Sequence, residues 1–210
     1  MTIAPRQTIE RGRRDKEQRR QCLMEAAMAV FAERGYDCAT TREIAERSGC
    51  AEGLIHRYFN GKRGLLLAIL ESRAARVVED FSSALPDRDT VEEEVEQILL
   101  WHLDTMWERR DFMRVAVSQA AIDSEIGRTI NEGIHNARVK LTAEKLRRHR
   151  RAGRIRPDVD LEATAQAMAN LGFAMGFSFQ VSLSQERTLA RRITFAAAAA
   201  LSRGISRRSA

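Results

Sequence analysis

Residues 40–65 read Thr-Thr-Arg-Glu-Ile-Ala-Glu-Arg-Ser-Gly-Cys-Ala-Glu-Gly-Leu-Ile-His-Arg-Tyr-Phe-Asn-Gly-Lys-Arg-Gly-Leu. Thr40 with Glu43 three positions on has the form of a capping box, in which each side chain satisfies the other's free backbone amide. Ile44 and Ala45 form the buried edge of a short helix, and Ser48-Gly49 ends it, because glycine accepts the left-handed turn. A second short helix is predicted from about Ala51 to Phe59. It buries Ile55 and Phe59 and leaves Glu52, Gly53, His56 and Arg57 on other faces. Two short helices joined this way make a helix-turn-helix, whose second helix can enter a DNA major groove.

Working outward, Leu23, Ala26, Ala27, Val30 and Phe31 recur at helical spacing, which predicts a first helix starting near Asp15 and ending at Gly35. Residues 1–14 carry no apolar period and are expected to form a flexible basic arm. Asn60-Gly61 breaks the second short helix. A long helix follows from about Lys62 to Leu85, with the stripe Leu66, Ile69, Leu70, Arg73, Val77 and Phe81, and Pro86-Asp87 stops it. Because it starts inside the helix-turn-helix unit and ends well beyond it, this helix links the two regions mechanically.

Five more helices are predicted. One opens on Glu92-Glu93-Glu94, where the helix dipole favours negative charge, and carries Val91, Val95, Ile98, Leu99, His102 and Met106 on one face. A shorter one, capped by Asp111, turns Phe112, Val115, Ala116 and Gln119 inward. A long one spans about Ser124–Ala152, and an apolar one, capped by Asp160, reaches Ser182. The last runs from about Gln185 to Ile205 with Leu189, Ile193, Ala196, Ala197, Ala200 and Leu201 on a stripe. The prediction is therefore an all-α chain of nine helices. Its division is a flexible arm 1–14, the helix-turn-helix unit 15–62, a helical region 63–205 and a tail 206–210.

Composition agrees with this reading. The 210 residues are 44% hydrophobic and 30% charged, with only 3 prolines, which favours a globular helical chain able to bury a core without staples. The formal charge of +6 is uneven: residues 1–20 hold seven basic groups and three acids, hence +4. That distribution is compatible with a polyanionic partner. Cys22, Cys38 and Cys50 form an odd set without CxxC spacing, so reduced thiols in a cytoplasmic protein are expected. Leu161–Leu183 lacks Lys and Arg, but Glu162, Gln166, Asn170 and Gln180 interrupt it, so it reads as a buried soluble helix and not a membrane span. His56, His102, His135 and His149 lack metal-ligand spacing, and no phosphate loop or nucleophile elbow appears. Neither an enzyme, a metal nor a cofactor is expected.

The elements Phe31-Ala32-Glu33-Arg34-Gly35-Tyr36, Thr40 to Gly49, Gly53 to Phe59, and Lys62 together resemble the DNA-binding unit of the TetR family of repressors, over about residues 15–70. The resemblance implies a homodimer that binds a palindromic duplex operator through residues 15–62 and is released by a small-molecule effector of unknown identity, with 63–205 as the ligand-binding and dimerisation domain. By motif position it implies DNA contacts from Thr41, Arg42, Glu52, Gly53, His56, Arg57, Tyr58 and Lys62. Arginine can donate twice to guanine, glutamate can accept from cytosine, and lysine neutralises phosphate. Two positions depart from the family pattern. Ala51 stands where a serine or threonine is usual after the turn, and His56 replaces a frequent aromatic.

Candidate effector contacts are Trp101, His102, Met106, Trp107, Phe112, Met113, Gln119, Phe173 and Phe177; plain core packing is the alternative for each. The last two helices are expected to form the dimer interface through Ile193, Ala197 and Ala200, with Gly172 and Gly176 allowing close approach of backbones. The basic tract Lys145–Arg156 is read as a solvated helix end. Two other readings stay open: a helical binding protein or enzyme whose helix-turn-helix is only structural, and an architectural DNA binder without sequence preference.

Overall fold

The computed structural model describes the backbone of residues 6–207 and the side chains of residues 14–207. Within them the chain is nine helices in sequence: α1 Arg6–Arg34, α2 Thr41–Ser48, α3 Gly53–Phe59, α4 Lys62–Ala84, α5 Val91–Glu108, α6 Arg110–Ala120, α7, α8 and α9 Arg187–Ile205. α7 joins Ser124–Ile130 and Asn136–Arg151 through a π-helical segment, Asn131–His135. α8 runs from Leu161–Phe173 into a π-helical end, Ala174–Ser182. Each π segment inserts a wider turn into the helical period, and no apolar spacing announced either. No helix of the described residues is long and apolar enough to cross a membrane.

Several local expectations hold. The Thr40–Glu43 capping box is formed, Gly49 sits in the left-handed region at φ 66°, and Asp160 accepts from the amides of Glu162 and Ala163. Others are corrected. α1 begins at Arg6, so residues 6–14 are helical, and the rest of the expected flexible arm lies outside the described residues. Asp111 does not cap α6, which starts at Arg110 from a kink at Arg109; its carboxylate only accepts from Arg114. The tail is pinned, since Arg207 donates its amide to the Arg154 carbonyl and Ser206 bridges to Ile155. Residues 208–210 lie outside the described residues.

Two apolar cores form. One merges Leu23, Phe31, Ile44, Ile55, Leu65, Leu66 and Leu70 with Phe112, Val115, Ala116 and Ile126, so α6 and the start of α7 are packed into the helix-turn-helix unit. The other gathers Phe81, Val95, Ile98, Leu99, Leu146, Met168 and Ala198. α4 contributes to both, as its two-region stripe requires. The expected boundary at residue 62 is thus crossed by continuous packing.

The expected roles of Gly172 and Gly176 are also corrected. A Cβ on Gly172 would collide with the His102 side chain, and one on Gly176 would lie 2.6 Å from Met106 Cβ and 2.7 Å from the Leu103 carbonyl. Both glycines let α8 close onto α5 of the same chain, and both are buried there. In α9 the buried face is Ala190, Thr194, Ala198, Ser202 and Ile205. Of the stripe read from the sequence, Leu189, Ala196 and Ala200 are exposed on the opposite side, and Ile193, Ala197 and Leu201 are half-buried.

The basic tract is not simply solvated. Fully buried Glu94 receives Lys145 at 3.1 Å, Arg148 at 2.6 Å and His149 at 3.2 Å, with the Gln97 amide at 2.8 Å and the Arg88 backbone at 3.1 Å. Lys145 and Arg148 also reach Asp87, at 2.9 and 3.5 Å. This cluster ties the α4–α5 connection to the far end of α7. Burial raises the Glu94 pKa, but the hydrogen bonds from the Arg88 amide, Arg148, Gln97 and Lys145 outweigh it and hold the carboxyl below its ordinary value.

Replacing Glu94 by Gln leaves two cations facing a neutral amide and should cost roughly 3–5 kcal/mol of stability in urea denaturation. A depressed folded-state pKa contributes stability above the ordinary value of 4.5 and loses it as pH falls through the folded value. The gap between wild type and Glu94→Gln should therefore be full near pH 7 and close on acidification.

Candidate nucleic-acid interface and internal cavity

α2 and α3 are too short to persist alone and are held by what packs beneath them. Ile44, Ala45, Ile55 and Phe59 are buried, and this fixes Glu52, Gly53, His56 and Arg57 on the exposed face. The turns before and after α3 carry positive φ at Gly49 (66°), Asn60 (58°) and Gly61 (96°). Gly64, half-buried at the start of α4, has no room for a Cβ against the Phe59 carbonyl. That contact sets how α3 leaves α4, and no periodicity pointed to it.

The expected DNA-facing residues are brought to one end of the chain, but in different states. Thr41 Oγ1 donates to Glu52 Oε1 at 2.5 Å, joining the starts of α2 and α3. Glu52 therefore pairs across the turn. Exposed Arg42 lies 2.9 Å from Glu46, an exposed pair that water screens and a nucleic acid could exchange. Arg57 and His56 are exposed, and no ion pair or side-chain hydrogen bond engages either among the described residues. Tyr58 is half-buried, with Lys16 5.7 Å above its ring, while Arg20 donates to the Tyr58 carbonyl at 3.0 Å and lies over Phe59.

Lys62 corrects the expectation of a phosphate contact. Its Nζ donates to the carbonyls of Tyr36 (2.6 Å), Asp37 (3.2 Å) and Ala39 (3.0 Å) and sits 4.5 Å from the Tyr36 ring centroid. An ammonium has three donors, and all three are engaged in closing the α1–α2 loop. Its neighbour Arg63, absent from the sequence candidates, faces the other way. It donates to both Asp123 oxygens at 2.5 and 2.9 Å and to Glu125 at 2.7 Å. Asp123 also caps α7 through the amides of Glu125 and Ile126. The Arg63 hydrogen bonds hold the Asp123 carboxyl down to about 2, so the clamp is ionised at any ordinary pH.

Beyond the helix-turn-helix, α4, α5, α6, α7 and α8 enclose a cavity of about 340 Å³. Of the nine residues proposed from sequence, His102, Met106, Phe112, Met113 and Phe173 line it. The other four do not. Trp101 packs edge-on against Phe81 and lies behind Arg138, 5.1 Å from its guanidinium. Trp107 is on the outer side of α5 beneath Arg110 and Arg187. Gln119 is buried off the cavity wall, and Phe177 lies one turn beyond Phe173 at 5.5 Å. Apolar periodicity found the helices but not which side of a buried aromatic faces the void.

The polar part of the wall was missed. Arg73, Asp80, Arg109 and Arg138 all border the cavity. Arg109 meets Asp80 at 3.1 Å, whereas Arg73 lies over the Phe112 ring at 4.4 Å. Burial, then repulsion from neighbouring arginines, lowers the Arg73 and Arg138 pKa values to about 10, which still leaves both charged at neutral pH. Burial lowers His102 to about 3, so its ring is neutral there. An arginine inside an apolar stripe, as Arg73 stands between Leu70 and Val77, was the one available signal. Arg138 opened a longer basic run and was hidden by it.

Comparison with known proteins agrees with this arrangement. Residues 23–69 match the family described as bacterial regulatory proteins, tetR family. The transcriptional repressor AcnR of Corynebacterium diphtheriae is 32% identical over 146 residues, 69% of this chain and 72% of that repressor. Among solved structures, the regulator FadR of Bacillus subtilis in complex with stearoyl-CoA superposes with a TM-score of 0.72 at 18% identity, over 88% of this chain and 98% of that one. A Saccharomonospora viridis protein in complex with choline gives 0.72 at 21% identity, over 90% and 98%. These two share the fold. With its helix-turn-helix matched by the family model and a relative aligned along most of both chains, this chain belongs to the TetR family of bacterial transcriptional regulators.

Proposed function

We propose that the chain is a cytoplasmic, homodimeric repressor that binds a palindromic operator and leaves it when a small molecule enters the α4–α8 cavity. The observation that carries this reading is the shared wall. Phe112 and Ala116 line the cavity and also belong to the core that positions α1, α2 and α3. The Arg63–Asp123–Glu125 clamp ties the DNA-proximal end of α4 to α7, and both helices border the same void. A ligand that spreads α4 from α6 and α7 displaces the helix-turn-helix with them.

The second copy would cover the outer face of α8 and α9. Leu189, Ala196 and Ala200 are exposed there, with Ile193 and Ala197 half-buried beside them. Such an apolar, small-residue surface suits a two-fold, self-complementary interface. In that dimer, Arg42, Arg57 and His56, with Glu52 oriented by Thr41, would read each half-site, and Tyr58 and the exposed basic residues of α1 would face phosphate. Lys62 keeps a positioning role. Arg14 and Lys16 are exposed on α1; the side chains of Arg11 and Arg13 lie outside the described residues.

Selection from a randomised duplex pool should yield a two-fold symmetric site with half-sites spaced roughly 34–36 Å apart or a multiple of it. Arg57→Ala should weaken binding to that duplex by roughly ten- to a hundred-fold, while affinity for an unrelated duplex changes far less. Equal binding of selected and random duplexes would identify a sequence-neutral binder instead. Once a thermal-shift screen finds a compound that releases the operator, Arg63→Ala should bind that compound as wild type does. Its effect on operator affinity should shrink by about ten-fold, measured as the ratio of operator Kd values with and without compound.

A further inference from the structure

Arg138 is 6% exposed, and among the described residues no carboxylate lies within ion-pair reach and no acceptor meets its guanidinium. The Trp101 ring lies 5.1 Å from it, and Asp80 attracts it only from beyond ion-pair distance. Arg73 repeats the pattern: its Nε is buried without a partner, and its one hydrogen bond is to the Met28 sulfur at 3.2 Å. The cavity wall thus holds three guanidiniums against one carboxylate, and that carboxylate, Asp80, is already matched by Arg109. The remaining surface is chiefly apolar, led by Leu70, Val77, Met106, Phe112, Ile134 and Phe173, with Asn131, Asn170, His102 and His135 as its other polar residues. A desolvated cation with no carboxylate at ion-pair distance is unfavourable, and the chain keeps buried Arg138 and half-buried Arg73 in that state beside empty space.

Taking the cavity as the effector site proposed above, we infer that its ligand is an anionic amphiphile, with an apolar body in the void and a carboxylate or phosphate head received by Arg138 and Arg73. An arginine fork binds either head in bidentate fashion. An incoming anion supplies a counter-charge beside a largely apolar wall, where the attraction is stronger than in bulk water. The same surplus of positive charge excludes cationic ligands and leaves neutral ones without compensation for the desolvated guanidiniums.

The test uses the full chain and four ten-carbon probes below their micellar thresholds: decanoate, decyl phosphate, 1-decanol and decyltrimethylammonium. Binding is read from tryptophan fluorescence, to which Trp101 beneath Arg138 should respond, and from the shift in Tm. At least one anion should bind saturably and about ten-fold or more tighter than decanol, with the ammonium weakest; the preferred anion identifies the head group. Arg138→Met should lose about ten-fold or more in anion affinity and leave decanol within about two-fold. Its ligand-free Tm should equal or exceed that of wild type, because an unmatched buried charge is gone. Arg138→Lys, which keeps the charge, should retain anion preference and serves if the methionine variant misfolds. Decanol binding as tightly as the anions, no saturable binding of either anion, or unchanged anion affinity in Arg138→Met overturns the inference. If the anions bind as expected but leave operator affinity unaltered, the assignment of the cavity stands and the induction reading fails. If a neutral compound fills the cavity and releases the operator while the anions do not bind, the reverse holds.

Discussion

Phe112 and Ala116 of α6 belong to two structures at once. They are buried in the core that fixes the DNA-reading helices and they form the wall of the cavity. Interiors at crystal-like density do not deform locally, so a ligand cannot push on α6 without that push reaching α1, α2 and α3. The small size of the N-terminal unit follows from the same arrangement. Its helices lack enough surface to bury among themselves, and α4, α6 and the first turn of α7 complete their core.

α4 and α7 run beside the cavity, and charge fastens α7 near both of its ends. At the DNA-proximal end Arg63 grips Asp123 and Glu125. At the other, Asp87 and Glu94 hold Lys145 and Arg148. Between the fastenings lies the π segment Asn131–His135, where a Cβ on Gly133 would approach Ala74 to 2.8 Å. The backbone of α7 is therefore widened where it borders the void and pinned where it leaves it. On the proposed induction reading, a ligand wedged between α4 and α7 would deliver its tilt at Lys62 and Arg63, where α4 is clamped to the start of α7.

Much of this was legible in the sequence, and for physical reasons. Capping residues at Thr40 and Asp160, breakers at Gly49 and Asn60-Gly61, and strong apolar stripes in α4 and α5 act within a few residues, so local reading recovers the all-α architecture and the helix-turn-helix. What failed depends on partners far apart in the chain. Gly172 and Gly176 suggested close helix approach correctly, but the partner is α5 of the same chain and not a second copy. Lys62 was placed at the right turn, yet its ammonium closes the loop beneath it. Glu94, Arg63 and Arg138 were invisible as sites because each was one charge among many until folding removed or supplied its partners.

Coupling between cavity and DNA through shared packing is the central claim, and hydrogen exchange tests it without knowledge of the effector. Exchange should be compared for the full chain alone and saturated with its selected operator duplex. If the two regions share one core, operator binding should slow exchange in residues 41–59 and also in residues 110–130, which line the cavity far along the chain. Slowing confined to the helix-turn-helix, with residues 110–130 unchanged, would contradict it.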